Sequence, residues 1–224
     1  KFTKLSILYL HDNLLTELPE SIGLLTKLNS LSFDNNKLTK FPDIICQLTE
    51  LNELWFEGNN FTELPETIGQ LTKLIELGLE GNDYTELPET IGQLTVLEIL
   101  NLKGNKLTEL PNTIGSLAML HRLDLDNNRL TSLPETIGQL TELDTLLLRG
   151  NQLKELPEAL GQLTYLYELD IRDNPLTTLP ETLQNLTDLE IVSIDKKLGN
   201  DSVVKFWKSK GVEVICDDNE DGID

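Results

Sequence analysis

The chain has 224 residues, of which 38 are acidic and 18 are basic, and its formal net charge at pH 7 is −20. This charge disfavours nucleic acids and anionic membrane surfaces as partners, because both are bound by clustered Lys and Arg side chains. No apolar run approaches the roughly 20 residues that a membrane-spanning helix needs, so we expect no membrane insertion.

The chain starts at Lys1, four residues before the first leucine of a repeating pattern, Leu5. The end of a stack of repeats normally carries a polar cap that covers its apolar face. We therefore expect preceding sequence that is missing from this chain. The alternative is a second molecule that covers this edge.

A 23-residue unit then repeats eight times in perfect register. Each unit contains an asparagine that ends an L-x-x-L-x-L-x-x-N segment, as in Leu5, Leu8, Leu10 and Asn13. The asparagines are Asn13, Asn36, Asn59, Asn82, Asn105, Asn128, Asn151 and Asn174. The prolines that follow them are Pro19, Pro42, Pro65, Pro88, Pro111, Pro134, Pro157 and Pro180. Self-similarity at such a period is typical of a solenoid.

The L-x-L part of each unit alternates with period two, which predicts a short strand with its leucines on one face. A unit of this size cannot bury that face alone, so it stacks on its neighbours. Strands one repeat apart then run parallel at roughly 4.8 Å and form the inner wall of a curved solenoid. We expect each asparagine side chain to bond backbone groups of the adjacent loops.

The second half of each unit is nearly constant, with TELPETIGQLT at both 62–72 and 85–95. The proline fixes φ for the start of a helical turn. The glycine that follows, Gly69 or Gly92, prevents a long helix. We expect 3-10 turns or extended chain on the convex side of the solenoid, and no long α-helices.

The repeat pattern ends after a ninth strand that contains Leu189, Val192 and Ile194, because Lys197 replaces the next asparagine. We expect residues 1–195 to form the solenoid and residues 196–216 to form a cap. Asp201 or Ser202 can start a helix over 203–210, which Gly211 ends. A final strand is predicted over 212–216, with Phe206 and Trp207 packed against the last repeat.

Residues 217–224 form an acidic tail. Asp217, Asn219 and Asp221, followed by Gly222, match the start of a calcium-binding loop. The closing Glu of such a loop falls beyond residue 224, so these three are weak candidate metal ligands. The favoured interpretation is a disordered acidic tail.

The sequence carries no pattern for catalysis or for a cofactor. Nucleophilic catalysis needs a Ser or Cys beside a base, but His11 and His121 lie about five repeats, or roughly 24 Å, apart. Cys46 and Cys216 are interpreted as structural or incidental, and no zinc spacing or phosphate-binding loop occurs. We expect a protein that is not an enzyme and binds no cofactor.

The concave face offers the best candidate binding site. Residues six, four and two positions before each asparagine point away from the leucine core, and they vary most between repeats. The predicted partner-binding residues are Tyr9, His11, Asp34, Glu53, Trp55, Glu57, Glu76, Glu80, Lys103, Arg122, Asp124, Arg149 and Arg172.

These residues form two halves. In the first half an exposed Trp55 is ringed by acids, with open space over Gly78, which suits a partner with a basic or amphipathic surface. In the second half basic and acidic residues alternate and could pair with each other across strands. The alternative for both halves is ordinary solvated strand residues.

The convex ridge carries an acid after nearly every repeat proline. These acids are Glu20, Asp43, Glu66, Glu89, Glu135, Glu158 and Glu181. Acids at the start of a helical turn favour its free N–H groups, so we interpret the ridge as solvated. A docking site for a basic partner is the alternative.

Over about residues 1–195 the repeats resemble the leucine-rich repeat family, in the 23-residue class with L-P-x-x-I-x-x-L. That class includes intracellular scaffold proteins, Ras-associated repeat proteins, Roco GTPases and many bacterial proteins. The resemblance implies an α/β horseshoe with a parallel β-sheet on the concave face and 3-10 or extended segments on the convex face. It does not indicate a ligand, because the residues that the family shares are structural.

We therefore expect a protein-interaction module that binds a protein partner on its concave face. One alternative is a regulatory or sensor domain of a larger protein, such as a Roco-type GTPase or a kinase. Another is a bacterial surface adhesion module. The absence of a disulfide framework favours the cytoplasm, while a surface or secreted location stays open.

Overall fold

The computed structural model describes residues 4–217, and its side chains are described up to Cys216. Asn219 and Asp221, two of the candidate calcium ligands, lie outside the described residues. Asp217 is described only as the last backbone position of the final strand. The described helix is too short and too polar to cross a membrane.

One parallel sheet runs through the described part of the chain, with its strands in sequence order. The strands are β1 (Ile7–Tyr9), β2 (Ser30–Ser32), β3 (Glu53–Trp55), β4 (Glu76–Gly78), β5 (Ile99–Asn101), β6 (Arg122–Asp124), β7 (Thr145–Leu147), β8 (Glu168–Asp170), β9 (Ile191–Asp195) and β10 (Glu213–Asp217). From β1 to β8, each residue pairs with the residue 23 positions further along the chain, as Ser32 does with Trp55. The predicted solenoid sheet is confirmed.

The convex side consists of short 3-10 turns. These turns are Glu20–Leu24, Asp43–Gln47, Glu66–Gln70, Glu89–Gln93, Asn112–Ser116, Glu135–Gln139, Glu158–Gln162 and Glu181–Asn185, and a shorter one covers Lys196–Leu198. A repeat proline with extended backbone precedes each of the first eight turns, as Pro88 does with φ −69° and ψ 148°. The prediction of 3-10 turns in place of α-helices is confirmed.

Close stacking explains the glycine in these turns. A Cβ atom added to Gly92 would lie 2.5 Å from the carbonyl oxygen of Thr113 in the next turn, which is closer than real Cβ atoms come. Glycine therefore lets successive turns approach at the spacing that the sheet imposes on the other side of the core. That core is built mainly from leucines of the repeat, such as Leu77 and Leu100, which are fully buried.

The asparagine ladder bonds as predicted. The Asn82 amide donates to the carbonyl oxygens of Phe56 at 2.9 Å, Leu79 at 3.1 Å and Glu80 at 3.3 Å. Its Oδ1 accepts the N–H of Phe61 at 3.2 Å. Each ladder asparagine of this kind ties its own loop to the loop of the preceding repeat.

The C-terminal end closes with α1 (Ser202–Lys210), one residue longer than predicted, and with β10 parallel to β9. Asp201 caps the helix, because its Oδ1 accepts the Val203 N–H at 2.8 Å, and Gly211 ends it at φ 88°. Trp207 is buried, and its Nε1 donates to the carbonyl oxygen of Leu183 at 3.1 Å. Helix and strand thereby cover the last repeat.

Candidate partner-binding surface

The concave face of the sheet displays the residues at the outer positions of each strand. In every repeat strand the central leucine points into the core, so its neighbours on both sides point to the concave side. Parallel register then places equivalent residues in columns, and the column of Tyr9, Ser32, Trp55 and Gly78 runs across β1 to β4. The structure thus brings the predicted partner-binding residues onto one face.

Tyr9 and Trp55 meet even though β2 lies between their strands. Their ring centroids are 6.3 Å apart with the planes at 53°, and the His11 ring lies 6.2 Å from that of Tyr9. The intervening residue is Ser32, which is small and buried. Short side chains on β2 therefore let two aromatic rings from flanking strands form one surface. Ser30 Oγ, 3.1 Å from the Tyr9 hydroxyl, donates a hydrogen bond to it.

The predicted open space over Gly78 is wrong. A Cβ atom on Gly78 would clash with Cδ1 of Trp55 and would lie 2.8 Å from Oε1 of Glu57, so the indole ring already occupies that space. Trp55 is accordingly partly buried, and the prediction of an exposed tryptophan is also wrong. Contact with Gly78 limits the space open to the ring, which stays partly accessible to solvent.

Carboxylates surround this tryptophan, and hydrogen bonds order several of them. Asp34 accepts the backbone N–H of Glu57 at 2.8 Å and the Ser32 hydroxyl at 2.8 Å. The Asn101 amide donates to Glu57 and to Glu80, at 3.0 Å in each case. One uncharged side chain thus holds two acids side by side.

The close packing of these acids raises the pKa values of two of them. Partial burial raises the pKa of Glu57, and the charges of Asp34 and Glu80 raise it further. Partial burial also raises the pKa of Glu76, with a further contribution from Glu53 on the neighbouring strand. This surface therefore holds more negative charge than it can easily accommodate without a cation.

Cations in the described part of the chain offset little of that charge. Lys103 lies 3.5 Å from Glu80. Within residues 4–217, no cationic side chain forms an ion pair with Asp34, Glu53, Glu57 or Glu76. We call the set Tyr9, Asp34, Glu53, Trp55, Glu57 and Glu76 the Trp55 surface.

In the second half of the concave face, the predicted basic residues pair with acids of the chain. The guanidinium of Arg172 bonds Asp170 with distances of 2.5 to 3.1 Å, and Arg149 Nε donates to Asp173 at 2.7 Å. Arg122 lies 3.5 Å from Asp124. Two of these three pairs join residues of the same repeat, whereas the sequence suggested pairing across strands.

Two further acids of this half lie deeper than a partner-binding role requires. Asp124 is buried and accepts the backbone N–H of Asp126 at 3.1 Å, and burial raises its pKa. Burial and the neighbouring charge of Asp124 raise the pKa of Asp126 to about 6. Asp126 Oδ1 also accepts the N–H of Arg149 at 2.8 Å, so it connects two repeats.

The cysteines and histidines that were considered for catalysis or metal binding do not form a cluster in the described part of the chain. Cys46 is buried, burial raises the pKa of its thiol, and Cys216 is exposed at the far end of the chain. His121 is exposed and lies outside the three concave columns. In the part of the chain that the structure describes, no group of three or more His, Cys, Asp and Glu side chains is arranged to hold a metal ion.

Two residues that order the Trp55 surface were missed from the sequence. Ser32 provides the gap over which Tyr9 and Trp55 meet, and Asn101 joins two carboxylates. Both occupy the column four residues before the asparagine. The signal that could have found them is a small or amide side chain in that column beside a large or charged neighbour.

Models of leucine-rich repeats match three parts of the chain. A leucine-rich repeat region matches residues 112–209, and leucine-rich repeat models match residues 73–130 and 27–48. No curated protein matches the sequence significantly.

Solved structures of leucine-rich repeat proteins are similar to this chain. A leucine-rich repeat protein of Leptospira interrogans is 40% identical with a TM-score of 0.81, over 83% of this chain and 47% of its own. The ectodomain of the Arabidopsis thaliana receptor kinase GASSHO1/SCHENGEN3, in complex with CASPARIAN STRIP INTEGRITY FACTOR 2, is 30% identical with a TM-score of 0.79. That match covers 95% of this chain and 26% of the ectodomain chain. The Arabidopsis receptor kinase HAESA, in complex with the peptide hormone IDA and the co-receptor SERK1, is 32% identical with a TM-score of 0.74. That match covers 84% of this chain and 34% of the HAESA chain. The chain thus spans less than half the length of each of these structures.

Proposed function

Because this chain belongs to the leucine-rich repeat family, we propose that it is a protein-binding module that takes its partner on the concave face. Two similar structures, both of plant receptor kinases, are complexes with protein or peptide partners. A rigid sheet supports the same role here, because a preorganised surface loses little conformational entropy when it binds.

Within the concave face, the partner binds at the Trp55 surface and presents lysine or arginine side chains to it. The observation that carries this proposal is the contact of Trp55 with Tyr9 and Gly78, beside carboxylates that have no ion-pair partner in residues 4–217. A cation that binds there gains contact with an aromatic face and relieves the repulsion between Asp34 and Glu57.

The second half of the concave face is less suited to this role. Arg122, Arg149 and Arg172 are already engaged with acids of the chain, so an incoming charged partner would have to displace existing pairs.

Truncation of a buried tryptophan at the centre of an interface commonly costs 2 kcal/mol or more of binding free energy, roughly a thirtyfold loss of affinity.

The test is a selection from a random peptide library displayed on phage, with the whole chain immobilised. We expect the enriched peptides to carry Lys or Arg and to bind Trp55→Ala roughly thirtyfold more weakly than wild type. Glu142→Ala is the matched control, because Glu142 is exposed and lies outside the concave columns. Enriched peptides that are all neutral or acidic, or the absence of any basic peptide that binds Trp55→Ala more weakly than wild type, would contradict the proposal.

A second candidate function is a sensor domain within a larger protein, such as a kinase or a Roco-type GTPase. It is supported by the similarity to structures of two plant receptor kinases. The sequence of the complete gene decides it, because a catalytic domain is either encoded there or not.

A third candidate is a bacterial surface adhesion module, which the similarity to a bacterial leucine-rich repeat protein supports. Cytoplasmic residence is the proposed location for the first candidate, and surface labelling of intact cells that express the gene separates the two. Labelled protein on intact cells would favour the adhesion module.

A further inference from the structure

We propose that the chain has a second interaction surface beside its C-terminal cap, which takes an extended peptide segment with an arginine two positions after an apolar residue. The surface consists of two adjoining cavities between the last repeats and α1, and we call them together the cap groove. It is separate from the Trp55 surface, because its residues come from the loops that lead into the strands and from the cap.

The two cavities differ in chemistry. The larger one, of about 760 Å³, is lined by Tyr165, Tyr167 and three acids, Asp188, Glu190 and Glu213. The smaller one, of about 320 Å³, is lined mainly by apolar side chains. Its apolar residues are Leu186, Leu189, Phe206, Trp207 and Val212. The cavities share Thr187, Leu189, Lys210 and Val212, so two side chains on the same side of one extended segment can occupy both.

The repeat itself does not require the two tyrosines. Tyr165 and Tyr167 are 58% and 43% exposed. One repeat earlier the equivalent residues are Glu142 and Asp144, which the fold accepts without any visible change in the neighbouring strand or turn. Two large aromatic side chains at positions that accept acids point to a role in binding, because exposed aromatic clusters are a common mark of interaction sites.

The charge of the larger cavity determines the occupant. Lys210 is the cation among its lining residues, against Asp188, Glu190 and Glu213. Nζ of Lys210 lies 5.3 Å from the centroid of the Phe206 ring, at the apolar cavity. The pKa of the Tyr167 hydroxyl is raised, chiefly by the charge of Glu190, which shows that this hydroxyl lies in a negative field.

A guanidinium group fits these features better than an ammonium group. It is planar, so it stacks on the tyrosine rings, and its N–H groups can at the same time donate to two carboxylates. An apolar side chain two positions before it in the segment enters the smaller cavity, which Phe206 and Leu186 line. An acidic or neutral segment has no guanidinium group for the larger cavity, and a segment rich in charged residues has no apolar side chain for the smaller one.

The experiment titrates the whole ¹⁵N-labelled chain with the peptide N-acetyl-Leu-Ser-Arg-amide and follows the amide chemical shifts by NMR. We expect the shifts to concentrate at residues 165–167, 187–191 and 210–213. A matched peptide with citrulline in place of arginine has the same shape without the charge. It should bind at least about fivefold more weakly.

The variant Tyr165→Ala/Tyr167→Ala should lose affinity for the arginine peptide by about tenfold. Glu142→Ala, at the equivalent position of the preceding repeat, and Trp55→Ala should both bind as wild type does. The Trp55→Ala result separates this proposal from the one for the concave face. Shifts confined to the concave columns, equal affinity for the citrulline peptide, or full affinity of the double variant would each overturn the cap groove.

Discussion

At the scale of single residues, the ladder asparagines join neighbouring repeats through one side-chain amide each. The Asn105 amide donates to the carbonyl oxygens of Leu79, Leu102 and Lys103, and its Oδ1 accepts the N–H of Tyr84. Asn105 is buried, so water cannot replace these bonds. A polar side chain in the core is stable here because all of its bonds go to backbone groups, among them the Tyr84 N–H, which has no other partner among the described residues.

We expect Asn105→Ala to lower the free energy of unfolding by about 3 kcal/mol or more, because it leaves the Tyr84 N–H without a partner and removes one donor from each of three carbonyl oxygens. The matched control is Asn13→Ala at the first repeat. Asn13 is exposed and bonds the carbonyl oxygens of Leu10 and His11, so its loss should cost about 1 kcal/mol or less. Urea denaturation followed by circular dichroism measures both variants, and equal costs would show that burial of the ladder does not matter.

Residues of the ladder could be predicted from the sequence, whereas the side-chain contacts of the Trp55 surface could not. A fixed period states which residues are neighbours across strands, so the role of Asn82 follows from the pattern. The direction in which Trp55 leans depends on the volumes of Ser32 and Gly78 together, and on a ring from β1. That orientation depends on packing across several strands, which the spacing of residues in the sequence does not specify.

At the scale of elements, the cap helix seals the apolar end of the stack. Val203, Val204 and Trp207 are buried against the last repeat, and Trp207 also bonds the carbonyl oxygen of Leu183 in its 3-10 turn. The limits of α1 were predictable because Asp201 and Gly211 are strong start and stop residues. The cap groove was not, since it forms where α1, β10 and the loops before β8 and β9 meet.

We expect Trp207→Ala to open the C-terminal end selectively. Removal of a buried tryptophan creates a cavity and costs about 3–5 kcal/mol. In a solenoid, each repeat contacts its neighbours, so the loss acts locally. Hydrogen exchange should accelerate at amides of β9 and β10, while those of β3 to β5 keep their protection. Lys208→Ala, at an exposed position of the same helix, is the control, and acceleration spread evenly over the sheet would contradict local opening.

At the scale of the whole molecule, the net charge of −20 is distributed unevenly. Acids recur along the convex ridge, one in nearly every turn. On the concave face the second half is largely neutralised by its own arginines, whereas no cation within residues 4–217 pairs with the acids of the Trp55 surface. The raised pKa values of Glu57, Glu76, Asp124 and Asp126 indicate that folding brings carboxylates closer together, and further from water, than they are in the unfolded chain.

Asp126 gives this effect a defined pH window. Its pKa is raised from 3.8 to about 6, so the folded state binds a proton more tightly than the unfolded state does. Ionised Asp126 therefore costs stability fully above about pH 6, and the cost disappears as the pH falls below 3.8. We expect Asp126→Asn to raise the midpoint of urea unfolding at pH 7.5 and to have little effect at pH 3.5, because Asn keeps the acceptor for the Arg149 N–H. An equal gain at both pH values would show that the charge is not the cause.

The register of the sheet has a consequence for how such a protein can change over time. Each repeat strand from β1 to β8 pairs with the next at an offset of exactly one unit, so the junction between any two units has the same backbone geometry. Unequal recombination that inserts or deletes one 23-residue unit between β5 and β7 would leave the Trp55 surface and the cap groove intact. It would change the distance between them by one strand spacing, roughly 4.8 Å. The separation of two binding surfaces can thus evolve in uniform steps, without any change to the residues that form either one.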